Sequence, residues 1–239
     1  MTLKGSCSQQ TNKLHRLVCR HDTTSTHPSK IMPIDLSMYL VTDRPLCLGR
    51  DLLDIVREAV QAGVTMVQLR EKKTPTREFV ALGHAIKAIT KAHNVPLLIN
   101  DRVDVALAID ADGVHIGQND MSYADARRLL GYDKIIGLSI DTQEQLHEAQ
   151  SLDVNYLGLG PIFPTTTKTD TSAEWGIQGL RQAHNFSCHP LVAIGGITTN
   201  NAAMVMASGA DGIAVVSAIC SAPSPSQAVA ALQKAVQTS

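Results

Sequence analysis

The sequence predicts an α/β fold, a single (β/α)8 barrel over residues 36 to 239, with an N-terminal extension over residues 1 to 35. Three observations predict it. Short apolar runs alternate with amphipathic stretches of about 8 to 15 residues, the order that pairs strands in parallel through crossover helices. Eight such units fit into roughly 200 residues, the lower end of the range for this barrel. Unusual polar residues follow the strands, at the C-terminal rim where barrel active sites are built.

The strands are expected at Met38 to Val41, Met66 to Leu69, Leu97 to Ile99, Gly113 to Ile116, Ile135 to Leu138, Tyr156 to Leu159, Leu191 to Ile194 and Gly212 to Val216. Helical periodicity marks Asp51 to Gln61, Thr76 to His93, Ala124 to Leu130, Gln143 to Leu152, Asn201 to Ser208 and Ser226 to Val236. An open doubly wound sheet is the alternative. It is disfavoured because Val41-Thr42-Asp43-Arg44-Pro45 stands where its Gly-x-Gly-x-x-Gly turn belongs. Ala-Asp-Gly recurs at Ala111 and Ala210, each time leading into a strand. This suits repeated units, and chance explains it about as well.

Composition narrows the function classes. With 44% apolar and 18% charged residues the chain can bury one substantial core. The 21 Lys+Arg against 22 Asp+Glu give a formal charge of -1, so no global field attracts nucleic acid or an anionic membrane. Anion binding must be local. Cys7, Cys19, Cys47, Cys188 and Cys220 are scattered, lack Cys-x-x-Cys spacing, and read as reduced thiols. No apolar run approaches the roughly 20 residues of a membrane helix. Lys4, Lys13, His15 and Arg16 interrupt any secretory segment. A soluble, cytoplasmic protein is expected. The basic, hydroxyl-rich residues 1 to 35 read as a mobile extension. A transit peptide, a bland extension or an upstream start, with Met32 or Met38 as the functional one, all remain open.

The rim residues carry the chemistry. Gln68, Arg70 and Lys72 follow the second strand, Asn100 and Asp101 the third, His115 and Asp120 the fourth, and Ser139 the fifth. Arg70, Lys72 and Lys168 could converge on a phosphorylated group, although each could also be solvated surface. Asp101 and Asp120 suit Mg2+, which commonly takes one or two carboxylates plus phosphate oxygens and water. They could instead cap helices beginning near Val103 and Ser122. Gly195-Gly196, Thr199 opening a helix, and Val216-Ser217 suggest a phosphate site after strands seven and eight. Two phosphate subsites imply two phosphorylated substrates. The loop from Gly160 to Asp170 reads as a closing lid or a flexible loop. His115 could line the pocket, but a hydrogen-bonded core histidine is the favoured reading.

These residues resemble the bacterial thiamine phosphate synthases from Tyr39 to Ala218. The matching segments are Tyr39-Leu40-Val41-Thr42-Asp43, Gln68-Leu69-Arg70-Glu71-Lys72, Leu98-Ile99-Asn100-Asp101 and Gly113-Val114-His115-Ile116-Gly117-Gln118 with Asp120. Gly137-Leu138-Ser139, Gly160-Pro161-Ile162-Phe163-Pro164-Thr165 through Lys168, and Ala193-Ile194-Gly195-Gly196-Ile197 complete the pattern. The resemblance implies that Gln68, Leu69, Arg70, Glu71, Lys72, Asn100, Ser139 and Lys168 bind 4-amino-5-hydroxymethyl-2-methylpyrimidine diphosphate. It assigns one Mg2+ per site to Asp101 and Asp120. Thr165, Thr166, Thr167, Gly196, Val216 and Ser217 would bind 4-methyl-5-(2-phosphoethyl)thiazole.

The implied reaction is ionisation of the pyrimidine diphosphate and capture of the cation by the thiazole nitrogen. Lys168, Arg70 and Ser139 would assist departure of pyrophosphate, with no protein nucleophile. A thiazole tautomerase of the same superfamily and a non-catalytic binder of thiamine-pathway phosphates are the alternatives. Homo-oligomers are possible, with no interface marked.

Overall fold

The computed structural model describes residues 34–165 and 174–237. Eight parallel strands close into a barrel in chain order: β1 (Met38–Val41), β2 (Met66–Leu69), β3 (Leu97–Asn100), β4 (Gly113–Ile116), β5 (Ile135–Ile140), β6 (Tyr156–Leu159), β7 (Leu191–Ile194) and β8 (Gly212–Val215). The ring closes where β1 pairs with β8, Tyr39 lying opposite Ala214. Closure removes every sheet edge. Compared with the expected strands, β5 runs two residues further, so Ser139 lies on the strand rather than after it.

The helices are α1 (Leu52–Gln61), α2 (Thr76–Ala92), α3 (Val103–Ala108), α4 (Tyr123–Leu130), α5 (Gln143–Ala149), α6 (Gly176–Phe186), α7 (Ala202–Ala207), α8 (Ser217–Cys220) and α9 (Pro225–Gln237). A 3-10 turn, Pro45–Cys47, precedes α1. The periodicity brought out none of α3, α6 and α8. In α6, Gly176 and Gly179 lower helix propensity, and the helix forms because Leu180 and Ala183 are buried against the barrel. Thr199 does not open α7, which starts at Ala202 after a short turn.

Strand alternation divides the apolar residues into two cores. Val67, Leu69, Leu97 and Ile99 face the helices and pack with Ile55, Val56, Phe79 and Ile86. Tyr39, Met66, Leu98, Tyr156 and Val192 face inward and fill the lower barrel. Among the described residues, no helix is long and apolar enough to cross a membrane. Cys47 and Cys220 are buried free thiols. Cys188 departs from the expected reduced state and is disulfide-bonded.

A repeated contact sets the strand register at the bottom of the barrel. The residue just before each even strand accepts a backbone N–H from the start of the preceding odd strand. Thr65 Oγ1 takes Met38 N at 3.0 Å, and Asp112 Oδ2 takes Leu97 N at 2.8 Å. Asn155 Oδ1 takes Ile136 N and Asp211 Oδ2 takes Leu191 N, both at 2.8 Å. The two Ala-Asp-Gly tripeptides therefore do one job twice. Their glycines match as well: a Cβ on Gly113 would lie 2.1 Å from Ile135 O, and one on Gly212 would lie 1.8 Å from Leu36 O.

Candidate active site

The inward side chains leave a cavity of about 560 Å³ at the C-terminal ends of the strands. That volume suits small organic ligands. Its lining includes Gln68, Arg70, Lys72, Asn100, Asp101, Asp120, Ser139, Thr165, Gly196, Val216 and Ser217. Leu69 and Glu71 point elsewhere, as alternation along one strand requires. Leu69 is fully buried under the helices, and Glu71 receives Arg44 at 2.8 Å. Lys168, Thr166 and Thr167 lie outside the described residues.

The cations at the mouth are held by acids. Arg70 Nη1 donates to Asp43 Oδ2 at 3.0 Å, and its backbone N–H donates to Thr42 Oγ1. Lys72 Nζ reaches Asp101 Oδ2 at 2.6 Å. Each pair fixes a flexible cation near the cavity while leaving protons to give an anion. The buried Asn100, which lines the cavity, has no hydrogen-bond partner for Nδ2. An unpaired buried donor is costly, so a ligand acceptor there offsets a real penalty.

Asp101 and Asp120 do not cap helices. Arg102 occupies the N-cap of α3 with no side-chain cap bond, and Ser122 caps α4 by accepting Asp125 N–H. Asp101 instead adopts φ +62, a left-handed conformation disfavoured for residues other than glycine. Asp120 Oδ2 accepts Gly117 N–H at 2.7 Å. Its carboxyl is raised above the usual carboxylate range by burial first and by the neighbouring Asp101 second. Two acids held together, one reluctant to ionise, form a place where a cation would relieve repulsion. Among the described residues no third His, Cys, Asp or Glu joins them. A divalent ion there would take its other oxygens from water and phosphate.

His115 is not a plain core residue. It lines the cavity, with Nε2 2.9 Å from Ser139 Oγ and Nδ1 2.8 Å from Tyr156 OH. Tyr39 and Tyr156, on β1 and β6, line the cavity with it. Sequence offered a weak signal for them: a polar-tipped aromatic inside a barrel strand usually finds a partner for its hydroxyl.

Gly195 and Gly196, at φ +100 and +63, have a use other than close approach to a ligand alone. Ile162 N donates to Ile194 O and Phe163 N to Gly195 O, laying the loop after β6 across them. A Cβ on Gly196 would stand 2.7 Å from Phe163 Cβ. On the return, Trp175 N and Gly176 N bond back to Pro161 O and Ile162 O. Both ends of that loop are thereby pinned beside the cavity.

The chain is similar to known proteins over the barrel. The family model described as thiamine monophosphate synthase matches residues 38–219. A thiamine-phosphate synthase of Albidiferax ferrireducens is 52% identical over 201 residues, covering 84% of this chain and 92% of that protein. One from Vibrio parahaemolyticus is 54% identical over 191 residues, covering 80% and 93%. The solved thiamine phosphate pyrophosphorylase of Pyrococcus furiosus superposes with a TM-score of 0.79 at 38% identity, covering 86% of this chain and 98% of that one. The chain belongs to the thiamine monophosphate synthase family.

Proposed function

We propose that the cavity joins 4-amino-5-hydroxymethyl-2-methylpyrimidine diphosphate to 4-methyl-5-(2-phosphoethyl)thiazole, giving thiamine phosphate and pyrophosphate. The observation that carries this reading is the pairing of Asp101 and Asp120 beside Arg70 and Lys72 at the rim of the cavity. Such a site is built to stabilise a departing anion.

Arg70 and Lys72, already oriented by Asp43 and Asp101, would bind diphosphate oxygens. Asn100 Nδ2 and the Ser139 hydroxyl would donate to the diphosphate or the pyrimidine ring, and Lys168 would join them. Asp101 and Asp120 would hold one Mg2+, which when bound supplies charge neutralisation to the leaving group. The pyrimidine methylene–oxygen bond breaks as pyrophosphate leaves with the electron pair. The cation is delocalised by the ring's 4-amino group, and the thiazole nitrogen lone pair closes the new C–N bond.

Thr165, Thr166, Thr167, Gly196, Val216 and Ser217 would hold the thiazole phosphate. Support comes from the short α8 directly after β8, since barrels commonly bind phosphate between the loops after strands seven and eight and a short extra helix. The barrel from residue 36 onward would carry the whole activity. A cytoplasmic location fits two anionic substrates that a bilayer retains.

The test is a pyrophosphate-release assay with each substrate and Mg2+ omitted in turn. Release is expected only when all three are present. Turnover of the thiazole alone would instead indicate a tautomerase, and no turnover with all three would end the proposal.

A further inference from the structure

Beneath the cavity the polar side chains form one unbroken line across the barrel. Gln68 Nε2 on β2 donates to Tyr39 OH on β1 at 2.7 Å. Tyr39 OH lies 2.9 Å from Tyr156 OH on β6, which lies 2.8 Å from His115 Nδ1 on β4. His115 Nε2 lies 2.9 Å from Ser139 Oγ on β5. Five strands contribute one residue each.

The chemistry of the groups gives this line a direction. The Gln68 amide nitrogen can only donate, so the Tyr39 oxygen accepts there and its single proton is available to Tyr156. Tyr156 accepts in turn and gives its proton to His115 Nδ1. A neutral imidazole that accepts at Nδ1 carries its proton on Nε2, and Nε2 then donates to Ser139 Oγ. The Ser139 proton is left for the cavity. Burial raises both phenols, so each keeps its proton at neutral pH.

The strands make room for this arrangement. A Cβ on Gly137 would stand 2.1 Å from Tyr156 Cζ, and one on Gly158 would stand 3.0 Å from His115 Cε1. Glycine inside a strand weakens it and marks a close approach. Here the two approaching groups are the two central members of the line. Their rings stack at 5.5 Å between centroids and 23° between planes, so tyrosine and histidine seat each other.

We propose that Tyr39, Tyr156 and His115 are positioning residues that hold His115 in its Nε2–H tautomer and so keep the Ser139 hydroxyl aimed as a donor at the diphosphate. The proposal rests on the reading of the cavity given above. A reversed line would turn the serine lone pairs toward an anion and consume its proton on His115. Loss of one well-placed donor to a developing anion costs about 10² to 10³ in rate.

The test combines nitrogen-15 NMR of histidine-labelled enzyme with kinetics, the His115 signals being identified by their loss in His115→Gln. The Nε2–H pattern is expected in the substrate-free wild type, with a shift toward Nδ1–H in Tyr156→Phe. In the full assay, Tyr156→Phe should lower kcat about 10²-fold and leave KM for the thiazole phosphate unchanged. Ser139→Ala should cost a large factor in the wild type and less than about threefold in the Tyr156→Phe background, because both changes remove one donor. An Nδ1–H or doubly protonated ring in the wild type would overturn the proposal, as would equal Ser139→Ala losses in the two backgrounds. The wild-type NMR pattern decides the point even if Tyr156→Phe fails to fold. Correct tautomers in an enzyme that makes no thiamine phosphate would refute the reaction and support the relay.

Discussion

Asp101 and Asp120 face each other through positions that a stability argument alone would not choose. One sits in a left-handed conformation, and the other has its carboxyl raised above the usual carboxylate range by burial and by its neighbour. The sign of the second effect is testable. A carboxyl raised in the folded state binds more protons than in the unfolded chain between the two pKa values, so stability falls as pH rises through that window. Asp120→Asn should therefore raise Tm at neutral pH in metal-free buffer, with the gain disappearing below the usual carboxylate range. Added Mg2+ should raise Tm of the wild type and not of the variant, by mass action on the folded state. Calorimetry across pH with and without the ion checks both. In the assay, Asp101→Ala should lower kcat/KM by about 100-fold or more, since the proposed mechanism draws several kcal/mol of leaving-group stabilisation through that carboxylate. An Asp101→Ala enzyme with undiminished turnover would remove it from the mechanism.

The strands and their first residues divide the labour of the barrel. At the bottom, Thr65, Asp112, Asn155 and Asp211 each take a backbone N–H from the odd strand before them. Conserving activity while losing stability is the expected signature of that face. Asp211→Ala should cost about 1–3 kcal/mol by leaving Leu191 N without its partner, with kcat unchanged. Urea unfolding and the assay together check this, and a variant with full stability would show that water replaces the carboxylate. At the rim the alternation of β2 sends Gln68 inward and Leu69 outward. The apolar runs announced these strands plainly, because each outward face is buried by helices. The helix α6 was hidden by Gly176 and Gly179, and it exists because of what it packs against.

Among the described residues the chain forms one closed barrel, and the loops after β2 to β8 line the cavity at its C-terminal end. The repeating βα pattern starts at residue 36, so deletion of residues 1–30 is expected to leave kcat within about twofold of the full chain. Loss of soluble protein on truncation would show that those residues pack on the barrel. Membership of the thiamine monophosphate synthase family makes the chain a transferase of thiamine biosynthesis. The parts of the site most readable from sequence were those set by strand ends: Arg70, Lys72, Asn100, Asp101 and Asp120 all reach the cavity. Strand ends are local, and the rim follows once the strands are placed. Leu69 and Glu71 belong to the same resembling segment, yet their direction depends on parity along β2, and they turn away.

Sequence alone determined the order and number of the strands, the closed α/β architecture and the acids and cations at the mouth, because these follow from periodicity and from position along the chain. Only the tertiary structure decided that Asp101 and Asp120 meet instead of capping helices, and that Tyr39, Tyr156 and His115 join Gln68 to Ser139. Those contacts span up to 117 residues of chain. No local pattern specifies them, since they depend on barrel closure and on the space that Gly137 and Gly158 leave between strands.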